Sequence, residues 1–85
     1  MTHLFINITI QDGEHEHTHK VLHTTNCTNL EFAINWYVAH YWGFSEKEID
    51  YKRNCWWEWH GGLRGKVDSW VDIPEKDYKI LRLYI

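Results

Sequence analysis

The sequence predicts an α+β domain in which a single helix packs on a mostly antiparallel sheet, in the order ββαβββ. Three observations carry this. Leu4, Ile6, Ile8 and Ile10 alternate with Phe5, Asn7 and Thr9, the period-two signature of a strand. Asp12-Gly13 follows, a hairpin turn signal, because glycine accepts positive φ. Leu30, Ala33, Ile34, Tyr37, Val38 and Tyr41 then recur at the spacing of one helix face.

His15–Thr24 reads as the returning strand of the opening hairpin. Thr28 and Glu31 are spaced as a capping box, so the helix is expected from about Asn29 to Trp42. Gly43 supplies its stop, and Phe44 is placed to fold back on the last turn. Ser45-Glu46-Lys47-Glu48 is a second, weaker box, which suggests one or two further helical turns to about Tyr51. Three strands are expected after that. Cys55–His60 alternates weakly, and Lys66–Ile73 places Val67, Val71 and Ile73 on one face. After a turn at Pro74-Glu75-Lys76-Asp77, Tyr78–Ile85 sets Leu81, Leu83 and Ile85 against Ile80, Arg82 and Tyr84. A helix across one sheet face buries both apolar surfaces together. The layout resembles the β-grasp arrangement of ubiquitin-like domains in element order.

Eighty-five residues fit one domain, 1–85. An apolar fraction of 44% and a charged fraction of 25% argue against disorder. The formal charge of −3 argues against a phosphate backbone as the main partner, so direct nucleic-acid binding is not expected. Two Cys are too few for a disulfide framework. No apolar run reaches the roughly 18–20 residues of a membrane span, and nothing at the N-terminus reads as a signal peptide. A cytoplasmic protein with reduced thiols is the expectation.

The aromatic load speaks most directly about function. Six Trp, five Tyr and three Phe exceed what a core this short can enclose, and large exposed rings are frequent in binding surfaces. If the helix covers Val67, Val71, Leu81 and Leu83, the bare sheet face carries Trp56, Glu58, Trp70, Arg82 and Tyr84. Trp, Tyr and Arg are the residue types of binding hot spots. The same rings can instead shield that face by packing on one another and on Arg stems.

His15, His17, His19 and His23 share one face of their strand. Adjacent members stand roughly 6.5–7 Å apart, so two rings can share a zinc or nickel ion. A metal site at His15, His17 and His19 is the second functional reading, although no second cluster completes the ligand set. Register decides how this stripe is presented. A two-residue turn at Asp12-Gly13 pairs Ile8 with His17 and Ile6 with His19, which forces His onto the apolar face. A three-residue turn over Asp12–Glu14 pairs Thr9 with His17, Asn7 with His19, Leu4 with Leu22 and Phe5 with Val21. The latter keeps the faces consistent near the core and leaves His17 and His19 outside.

A third reading stacks bases of a single strand on Trp56, Trp70 and Tyr84, against the acidic charge. Catalysis has little support: Ser45 looks committed to a cap, neither Cys lies in a nucleophile motif, and a Glu58/His60 pair sits among aromatic neighbours. The Gly61–Gly65 turn with Arg64 and Lys66 matches no phosphate-loop pattern.

The expectation is therefore a non-enzymatic protein-binding module. In size, acidity and lack of a catalytic motif it resembles the small inhibitors encoded by phages and mobile elements, such as anti-CRISPR proteins. That resemblance implies a protein partner, including a nucleoprotein defence complex, blocked by occupation of a surface. The apolar Tyr84-Ile85 end also allows a homodimer, if the last strand lies at a sheet edge.

Overall fold

The computed structural model describes residues 1–57 and 62–85. It is an α+β domain with β1 (Thr2–Asp12), β2 (His15–Thr25), α1 (Leu30–Tyr41), β3 (Ile49–Asp50), β4 (Cys55–Trp57), β5 (Leu63–Ile73) and α2 (Glu75–Leu81). The five strands form one sheet in the order β2-β1-β5-β4-β3, and every neighbouring pair is antiparallel.

The hairpin register differs from the one expected. Asp12 pairs with His15 across a two-residue turn at Gly13-Glu14, so Ile10 opposes His17, Ile8 opposes His19 and Leu4 opposes His23. Opposed residues share a face. The histidines therefore lie on the side of the buried isoleucines, not on the outer face. Gly13 takes φ +62°, the left-handed conformation such a turn needs. Placing the turn one residue later satisfies the closing glycine geometry while retaining every β1 isoleucine in the core.

α1 begins one residue later than the capping-box reading. Asn29 is its cap, accepting from the Phe32 N–H at 3.2 Å. Its end matches expectation. Gly43 has φ +85°, the Phe44 N–H donates to the Ala39 carbonyl at 3.0 Å, and the Gly43 N–H donates to that of His40 at 3.1 Å. This Schellman geometry drives Phe44 into the core. The buried face is rotated from the expected stripe: Ala33, Ile34, Asn35, Val38 and Ala39 are buried, whereas Tyr41 is exposed. The second box forms only a short 3-10 turn at Glu46–Glu48, where the backbone N–H and hydroxyl of Ser45 both donate to the Glu48 carboxylate.

The chain after Pro74 is helical, not a strand. Pro74 stands at the cap position, Glu75 and Asp77 occupy the first turn, and Lys79 reaches Glu75 at 3.5 Å. With apolar residues at both parities from Tyr78 to Ile85, no period-two face was available to pair. Tyr84-Ile85 is accordingly no sheet edge. The edges are β2 and the two-residue β3.

β5 carries a bulge. Asn7 pairs with Ser69 but Ile8 pairs with Val67, so Asp68 is the extra residue. The Thr9 hydroxyl donates to the Asp68 carboxylate beside it. Below the bulge Val67 enters the core. Above it Trp70 shares a face with Ile6, while Val71, opposite Phe5, is 52% exposed. The single inserted residue breaks the expected Val67/Val71/Ile73 face.

The core lies between α1 and one sheet face: Leu4, Ile6, Ile8, Ile10, Ile34, Val38, Phe44, Ile49, Trp56 and Val67.

Candidate functional site

The sheet face opposite α1 holds a shallow basin of about 550 Å3. Strand alternation builds it. One cross-strand row runs Trp57–Arg64–Gln11–Glu16, and the next runs Cys55–Lys66–Thr9–Thr18. Arg53, from the turn before β4, also lines it. The Arg53 guanidinium lies 3.7 Å from the Asp50 carboxylate. Trp57 is 41% exposed and flanks Arg64 across the strand pair. Three cations, Arg53, Arg64 and Lys66, meet two carboxylates, Glu16 and Asp68, on a chain with formal charge −3. With Asp50 paired to Arg53, the cations and carboxylates around the basin balance, so it is less acidic than the chain as a whole.

Cys55 sits in the wall between Arg53 and Lys66. Burial first, and the Asp50 carboxylate second, push its thiol pKa up, and the two cations only partly oppose this. A thiol held in its neutral form is a poor nucleophile.

Of the five expected binding residues, the four that are described, Trp56, Trp70, Arg82 and Tyr84, are not brought together. Trp56 is 0% exposed: its side chain points into the core, edge-on to Phe44 at 6.1 Å. Trp70 is half-buried on the α1 side and packs against the core, because the bulge reverses its parity. Arg82 caps the C-terminal end of α2 and Tyr84 lies in the turn beyond it. Arg82 lines a groove along β2, and Tyr84 is 81% exposed. Glu58, with His60 and Gly61, lies outside the described residues. Of the Trp56/Trp57 pair it is Trp57 that reaches the bare face, together with Arg53, Arg64 and Lys66. The readable signal was Gly65, which stands opposite Trp56 and marks where a large ring turns inward.

The histidine stripe faces the α1 side at the exposed end of β2. The His15–His17 and His17–His19 ring centroids are each 6.4 Å apart. His19 lies 5.6 Å from Trp42, and His23 stacks on Tyr37 at 3.8 Å and 16°. Burial lowers the His23 pKa below the ordinary imidazole value. Among the described residues, no three His, Cys, Asp or Glu side chains are grouped to hold a metal ion.

A groove of about 310 Å3 along β2 from His19 to Leu22 is lined by Tyr37, Tyr41 and Trp42 and by Tyr78, Arg82 and Ile85. The Tyr41 and Trp42 rings meet edge to face at 4.7 Å. No described helix is long and apolar enough to cross a membrane. Compared with family models, curated proteins and solved structures, the chain matches none.

Proposed function

We propose that this protein is a non-enzymatic binding module that docks the bare face of its sheet onto an acidic surface of a partner protein. The supporting observation is Trp57, a large exposed ring beside Arg64 on the same side as Lys66 and Arg53. A Trp next to Arg is the composition of a binding hot spot. Arg64 and Lys66 offer an acidic partner two cationic contacts beside that ring, on a molecule of net negative charge. Inhibition, including inhibition of a nucleoprotein defence complex, is the narrower form of this proposal: a rigid face occupies a partner's surface and needs no chemistry.

The test is partner capture with tagged protein, followed by titration of the purified pair. Trp57→Ala and Arg64→Glu should each lose the partner, while Tyr84→Ala keeps it. The reverse pattern would move the site to the C-terminal helix. Fluorescence anisotropy with labelled single strands is the control. Salt-sensitive binding that Trp57→Ala removes would replace the protein partner with nucleic acid.

A further inference from the structure

β2 is an outer strand of the sheet, and from His15 to Lys20 every residue is exposed. From Val21 to Thr25 the strand is half-buried, and Tyr78, Arg82 and Ile85 line a groove together with His19, Lys20, Val21 and Leu22. The free edge is thus a short segment, Glu16-His17-Thr18-His19-Lys20. Its order is self-complementary. A second copy laid antiparallel about a two-fold axis at Thr18 sets Glu16 against Lys20 of the second copy and Lys20 against Glu16. The same register sets His17 against His19 and His19 against His17. Alternation places the charged pairs on one face and all four imidazoles on the other. Directly opposed residues stand about 4.5–5.5 Å apart.

Among the described residues of one chain no three ligands are grouped to hold a metal ion, and His17 and His19 supply two. Four imidazoles from two chains complete a four-nitrogen donor set of the kind that takes zinc. We infer that β2 is a metal-completed dimer edge, in which His17 and His19 of two copies share one divalent transition-metal ion. Charge complementarity selects the register, and the ion makes the pairing tight. The imidazoles lie on the face away from Trp57, but Glu16 also lines the basin, so His17→Ala and His19→Ala are the variants that report on the dimer edge alone.

The experiment is multi-angle light scattering of the full chain with zinc chloride and with chelator, beside calorimetric titration of zinc. Zinc should double the mass at one ion per two chains, and chelator should reverse it. His17→Ala and His19→Ala should each abolish the doubling. Glu16→Lys alone, or Lys20→Glu alone, should weaken zinc-dependent dimerisation on the order of tenfold. The double exchange Glu16→Lys with Lys20→Glu should restore it. Zinc bound at one ion per chain without a change in mass would overturn the inference. So would doubling that survives His17→Ala, or a double exchange no better than either single one. All four positions are exposed, and circular dichroism confirms that each variant keeps its fold.

Discussion

Gly65 lies directly beneath the indole of Trp56, so close that a Cβ on Gly65 would enter the ring at Cε2, Nε1 and Cζ2. The two residues oppose each other across β4 and β5. The glycine is the space into which the largest fully buried side chain among the described residues fits. Gly65→Ala should therefore destabilise the fold by about 1–3 kcal/mol through overpacking. Trp56→Ala should cost about 3–5 kcal/mol through the cavity it leaves. Urea melts check both.

Trp57 and Trp70 should behave in opposite ways. Trp57→Ala should change stability by about 1 kcal/mol or less, as exposed substitutions do, and should remove partner capture. Trp70→Ala should destabilise by about 2–3 kcal/mol, because that ring packs on the core from the α1 side. Parallel melts and binding titrations separate the two roles.

Asn35 ties α1 to the turn before β4. It is 1% exposed, and its side-chain amide donates to the Glu31 carbonyl at 2.8 Å and to the Asn54 side-chain oxygen at 2.9 Å. Asn54 has φ +54°, and its own carbonyl accepts from the Val67 N–H at 2.8 Å. Asn35→Ala should cost about 1–3 kcal/mol. Asn54→Gly should be tolerated better than Asn54→Ala, since glycine accepts the left-handed backbone while alanine loses both the conformation and the hydrogen bond. Thermal melts of the three variants give the order.

Acidification should weaken the fold through His23. In the unfolded chain this imidazole titrates near 6.5, and burial beside Tyr37 lowers its pKa in the folded protein. Between the two values the unfolded state holds more protons, so stability is full above about pH 6.5 and is lost as pH falls through the lower folded value. The Tm should drop from about pH 7.5 to about pH 5. His23→Gln should flatten that drop, and an unchanged slope would exclude His23 as its source.

Residues with strong local chemistry were legible from their order along the chain. The β1 alternation, the helix after Thr28 and the Gly43-Phe44 stop needed no knowledge of distant partners, because hydrogen-bond capping and glycine φ act within a few residues. Harder to read was anything that depended on counting residues between elements. A one-residue shift of the hairpin turn moved His17 and His19 to the isoleucine side, and one extra residue at Asp68 turned Trp70 inward and Val71 out. The segment Glu75–Leu81 became α2 because Glu75 and Asp77 gave it an acidic first turn and the stretch from Tyr78 onward offered apolar residues at both parities.

The order of residues by itself determined that this chain folds as a helix against an antiparallel sheet, and that it has more large rings than a small core absorbs. Only the tertiary structure decided which rings those are. Side-chain direction in a strand reverses with every residue, so face membership follows from bulges and registers set by distant partners. Trp56 found its place over Gly65, and Trp57, one position later, was left on the bare face.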